Sequence, residues 1–172
     1  MEDPKGNREK EYCDFFVRWF EEKYGLVFDV LPKENDSSIA DAFIVDSVTS
    51  EKIPVQVVRS NPDSIKNALH YSRLFEQGDI PFMRGVSYYD YIEKSLLLKK
   101  DHYSIYDKAK TILLLEGHPP TPRNESDISK LEFPEELLGF RGIYYVLFPV
   151  LSSRANVITE NGCVVTIKSF IS

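Results

Sequence analysis

The stretch SSIADAFIVDSVTSEKIPVQVVRSNPDSIKNALHYSRLFEQ, residues 37–77, decides the architecture of this chain. IADAFIVDSV (39–48) is rich in β-branched and aromatic residues and reads as a strand carrying Asp41. TSEK is a turn, and IPVQVVRS (53–60) is a second, buried strand carrying Gln56. Asn61 then has the chemistry of a helix N-cap, with Pro62 at the first helical position. Ile65, Ala68, Leu69, Ser72 and Phe75 share one face of the helix that follows, until Gly78.

Working outward, residues 8–24 form an amphipathic helix. Tyr12, Phe15, Phe16, Trp19 and Phe20 make a broad apolar stripe, and Gly25 is the stop. LVFDVLP (26–32) is a strand closed by Pro32, and KENDSS is a turn. The first half therefore runs helix, strand, strand, strand, helix. Downstream, a short helix is expected over 88–99, a helical turn at SIYDKAK, and a buried strand at TILLLEG (111–117). Residues 118–128 fall in a polar, proline-bearing loop, either a lid or an insertion. PEELLGF is a short helix starting at Pro134, and GIYYVLFPV and CVVTIKSF are strands, with Asn161-Gly162 a tight-turn signal between them.

This order of elements, with Asp41 and Gln56 placed as they are, resembles the core of the PD-(D/E)XK nuclease superfamily, the restriction-endonuclease-like fold. The resemblance covers residues 8–77 and implies an α/β fold with a mixed sheet flanked by helices; the length suits one domain over 1–172, in which 78–172 adds further helices and strands. The resemblance also implies a metal-dependent phosphodiesterase site. An acidic residue on one strand and an E-x-K or Q-x-K on the next hold Mg²⁺ or Mn²⁺, which neutralises developing charge and activates water. Asp41 and Gln56 match the two metal ligands, while Val58 stands at the lysine position. Lys66, one turn into the next helix, is a substitute lysine. The superfamily's first-helix glutamate has two candidates, Glu9 and Glu11. At about 100° per residue, Glu9 falls on the aromatic side and Glu11 on the flank.

Read without the resemblance, an Asp at a strand start is a turn or capping residue, and a strand Gln sits on a half-exposed face. Fifteen positions separate Asp41 from Gln56, a distance that a hairpin of this size closes. The substitutions Gln56→Glu with Val58→Lys are expected to strengthen metal binding by supplying the charged ligand and the cation.

Charge weighs against broad nucleic-acid binding. The net charge is −6, and residues 1–80 hold ten Lys and Arg against sixteen Asp and Glu. A local patch runs the other way: Lys94, Lys99, Lys100, Lys108 and Lys110 face only Asp101 and Asp107. Arg84, Lys94, Lys99 and Lys100, interleaved with Tyr88, Tyr89 and Tyr91, are the candidate nucleic-acid contacts. A helix with buried tyrosines and solvated lysines explains the same pattern. The two functional readings are a nuclease-related protein with a degenerate metal site that acts on or binds nucleic acid, and a non-catalytic interaction module that meets a protein partner through the acidic first half.

Other features exclude more than they suggest. His70, His102 and His118 lack metal-ligand spacing, and no phosphate-binding glycine loop or nucleophile elbow is present. Cys13 and Cys163 make no C-x-x-C, and Cys13, beside the aromatic stripe, reads as structural. No apolar run reaches the roughly 18 residues of a membrane span, and MEDPKGNREKEY has no secretory core. A reduced cytoplasm is the expected compartment.

Overall fold

The structure, a computed structural model, describes residues 4–35, 38–58, 88–116, 130–147 and 163–171. Helix α1 (Pro4–Tyr24) leads into β1 (Phe28–Pro32), β2 (Ala42–Asp46) and β3 (Lys52–Val58). Then come α2 (Tyr88–Lys100), α3 (Ile105–Lys108), β4 (Ile112–Glu116), a 3₁₀ turn (Glu135–Leu137), β5 (Gly142–Leu147) and β6 (Cys163–Lys168). Among the described residues the strands form a six-stranded sheet in chain order. β1, β2 and β3 are mutually antiparallel, β3–β4 and β4–β5 are parallel, and β5–β6 is antiparallel. The fold is therefore α/β with a mixed sheet.

Local chemistry accounts for the elements. Gly25 adopts φ +69°, and its N–H donates to the Glu21 carbonyl, ending α1 as its glycine implied. Between β2 and β3 the Asp46 carboxylate accepts the N–H groups of Val48 and Thr49 at 2.7 and 3.0 Å, and Ser50 takes φ 60°. β4 is buried along its whole length because both faces of the sheet are covered, which is why ILLLE is a continuous apolar run with no alternation until Glu116.

α1 covers one face. Phe16, Phe20, Phe28 and Tyr144 pack there with Val55, Val57, Ile112 and Leu114. α2 and the 3₁₀ turn cover the other, where Ile92 and Leu96 meet Val58, Leu113, Leu115, Ile143 and Tyr145. β3 is thus central and buried, as its sequence required. Strand ends differ from the expectation. β2 begins at Ala42 rather than 39, so Asp41 precedes the strand, and β1 begins at Phe28 rather than 26. α1 starts at Pro4, a residue that suits a first helical turn because it has no N–H to leave unpaired. PEELLGF supplies only one 3₁₀ turn, after Pro134. The expected helix from Asn61 to Gly78 and the Asn161-Gly162 turn lie outside the described residues, as do 118–128.

Phe20 is fully buried and its ring meets Phe16, Trp19, Tyr24, Phe28, Tyr144 and Phe170. Phe20→Ala should lower unfolding free energy by about 3–5 kcal/mol. Val48→Ala, at a residue 90% exposed, should stay within about 0.5 kcal/mol. Urea denaturation of the two variants checks both values, and a small loss at Phe20 would contradict the packing described.

Candidate functional site

The end of β2 sets the geometry. Ala42 pairs with Val55, and one residue earlier the ladder becomes irregular. The Asp41 N–H reaches the Val55 carbonyl at 3.0 Å. The Val57 N–H is then taken by the Asp41 side chain, with 2.9 Å between Val57 N and Oδ2. The carboxylate replaces a strand carbonyl for the N–H of a buried, central residue, where an unmade bond would cost about 1–3 kcal/mol.

Asp41 Oδ2 also accepts a hydrogen bond from Gln56 Nε2, so the two residues predicted to converge do so. The other half of the Gln56 amide is occupied as well: the Tyr103 hydroxyl donates to Gln56 Oε1. Tyr103 comes from the turn after α2, and its ring stands edge-on to Phe140, with centroids 5.6 Å apart. Burial, then the charges of Asp41 and Asp107, push the Tyr103 hydroxyl above its usual range, so it remains a donor. The result is a directed chain, Tyr103 to Gln56 to Asp41. It fixes the amide orientation: the carbonyl faces Tyr103 and the NH₂ faces Asp41.

α1 brings two more groups near. Glu9 is buried, whereas Glu11 is exposed, so of the two candidates only Glu9 sits on the packed side of the helix. One turn on, the Cys13 thiol is pushed up to about 12 by burial first, then by the charges of Asp41, Asp14 and Glu9. Asp41 and Glu9 therefore both bear on one buried cysteine, from the residue before β2 and from α1. Among the described residues, no group of three or more His, Cys, Asp or Glu side chains is arranged to hold a metal ion.

Val58 is 2% exposed and packs into the α2-side core with Leu113 and Leu115. A lysine there would be a buried charge. The expectation that Val58→Lys supplies a useful cation is therefore corrected: its ammonium would enter an apolar core. Lys66 and Arg84 lie outside the described residues. Lys94 is exposed on α2, and Lys99 and Lys100, in its last turn, are partly exposed. Lys108 Nζ donates to the Lys100 carbonyl, and Lys110 Nζ lies 3.7 Å from the centroid of the Tyr106 ring. Tyr103 is the site residue that sequence reasoning missed.

Comparison with family models, with curated proteins and with solved structures finds no match to this chain.

Two outcomes follow, one from the hydrogen-bond chain and one from the packing of Val58. Tyr103→Phe removes the donor to Gln56 and should cost about 1–3 kcal/mol of stability. Val58→Lys should cost on the order of 3–5 kcal/mol. Denaturant titration checks both, and a neutral Tyr103→Phe would remove the chain as an organising feature.

A pH effect follows from Cys13. Its thiol binds its proton more tightly folded than unfolded, so above pH 9 the folded state holds more protons. Stability must then fall as pH rises from about 9 towards about 12, by at most about 1.4 kcal/mol per unit. Cys13→Ala should flatten the fall between about pH 9 and 10, before Tyr103 contributes. An unchanged slope in that variant would contradict the buried thiol.

Proposed function

We propose that this chain is a PD-(D/E)XK-type, restriction-endonuclease-like protein whose metal site is degenerate, and that it binds nucleic acid without cleaving it. The order helix, three antiparallel strands, then a parallel fourth strand supports the architectural half of the reading. The observation that carries the functional half is the Tyr103–Gln56–Asp41 chain, at the position where such a nuclease would ligate Mg²⁺ or Mn²⁺. The ligand set does not fit that ion. Gln56 Oε1 faces a hydroxyl donor, Asp41 Oδ2 accepts two N–H groups, and Val58 belongs to the core. A divalent cation needs several oxygen atoms turned towards it, with net negative charge among them. Here the polar groups turn towards one another.

Binding is assigned to the lysines of residues 94–110, which oppose the acidic balance of the first half. Phosphate contacts of this kind release counterions, so affinity should fall steeply with salt. The second reading, a protein-interaction module, is favoured by the net charge of −6.

Three measurements on the wild-type chain test the proposal. Calorimetric titration with MnCl₂ should show no binding. Single- and double-stranded DNA should survive incubation with Mg²⁺ or Mn²⁺. A gel shift at low salt should show binding that Lys99→Glu with Lys100→Glu weakens on all sequences alike. Metal-dependent cleavage abolished by Asp41→Asn would overturn the degenerate-site reading. Absence of any gel shift would leave the interaction module as the better account.

A further inference from the structure

The turn that carries Tyr103 continues into α3, and α3 buries none of its residues. A single helical turn has little stability of its own in water, since nucleation costs more than one hydrogen bond returns. This one is held by its surroundings. Ser104 is the N-cap: its Oγ accepts the Asp107 N–H at 3.1 Å and donates to the Asp107 carboxylate at 2.7 Å. Thr111 Oγ1 donates to the Asp107 carbonyl at 2.8 Å. The Arg141 N–H donates to the Lys108 carbonyl at 3.0 Å, and Lys108 Nζ ties α3 to the end of α2. The turn is thus fixed on two sides, yet Ile105 is 87% exposed and Tyr106 is 68% exposed.

The held turn sets an aromatic ring in water, with a lysine over it. The segment that carries it is cationic. Lys110 stands over the ring, Lys99 and Lys100 end the helix just upstream, and of the two acids in the segment Asp107 is engaged in the cap. Five lysines against two aspartates between 94 and 110 leave this segment at +3, in a chain of −6. Ile105 beside it is the exposed apolar neighbour that a protein hot spot would ask for, but the lysine over the ring is not. A duplex phosphate surface would ask for the lysines alone. An exposed ring among cations fits a ligand with both a π face and a phosphate beside it.

We propose that Tyr106 is a base-stacking platform for single-stranded nucleic acid, with Lys110 and the lysines of α2 on the neighbouring phosphates. In a duplex the base faces are already stacked on each other, so the ring finds no partner there. On a single strand every base offers a face, and stacking on an aromatic side chain contributes about 1–3 kcal/mol per base without sequence preference. The inference rests on the nucleic-acid reading above and narrows it to a strandedness and a residue.

The test is fluorescence anisotropy with a labelled oligo-dT and a labelled duplex of equal length, titrated with the full chain at low salt. Wild type should bind the oligo-dT more tightly. Tyr106→Ala should weaken oligo-dT binding by about 5- to 150-fold, the equivalent of one lost stacking contact, and leave duplex binding unchanged. Tyr106→Phe should retain it. Lys110→Ala should weaken both ligands and reduce the salt slope by roughly 0.7–0.9. Since Tyr106 is exposed, the variants should fold, and an unchanged melting temperature confirms it. Wild-type binding that Tyr106→Ala does not alter would overturn the platform while leaving the nucleic-acid reading in place. Wild type that binds neither ligand would overturn both.

Discussion

The N–H of Val57 must be satisfied, and β2 leaves the ladder before it can present a carbonyl there. Asp41 meets the need with its side chain. β3 lies between β2 and β4 and Val57 is buried, so its N–H needs a partner within the protein. A carboxylate drawn into this position brings its own requirement for donors, which the Gln56 amide meets in part. The amide in turn presents an oxygen, and Tyr103 donates to it across 47 residues of chain. One irregularity at a strand end thus recruits a residue from the next strand and then one from the turn beyond α2. The connection between β3 and β4 is thereby tied back to the strand it left.

That chain bears on the nuclease resemblance in a particular way. A divalent cation is held by several oxygen atoms turned towards it. At Asp41 and Gln56 the donors are internal, and a tyrosine whose proton is held firmly occupies the amide oxygen. The proposed reading follows from the same residues that would have made a catalyst: a glutamine has no charge to attract a cation and has two hydrogen-bonding groups to lock. Glutamine on the strand is accounted for by its two hydrogen bonds, and valine two positions on by its packing.

How much of this was legible in the sequence depends on range. The helix at α1, its stop at Gly25, the three following strands and the later apolar strands were readable because each signal is local: a stripe, a glycine, a run of β-branched residues. The approach of Asp41 to Gln56 was also legible, since a short hairpin fixes the pairing of its two strands. The start of β2 was not: Ala and Asp are weak strand formers, but nothing local in IADA marks Ala42 as the first strand residue. Glu9 could be favoured over Glu11 by helical arithmetic, and its burial agrees with that choice. Val58 shows the limit of the arithmetic. Alternation places it on the same face as Gln56, but only the packing of Leu113 and Leu115 shows that this face is apolar core there.

Tyr103 and Tyr106 are the harder case, because nothing local distinguishes them. Both lie in DHYSIYDKAK, where two tyrosines three apart look like one side of a weak helix. The fold separates their fates. Tyr103 precedes the Ser104 cap, so it is not on α3 at all, and it turns back towards Gln56 with its ring against Phe140. Tyr106 follows the cap and is carried outwards beside Lys110. The cap therefore decides which tyrosine serves the interior and which meets solvent. The same short turn thus ties one ring to Gln56 and displays the other to solvent, and both placements depend on where one serine starts a helix.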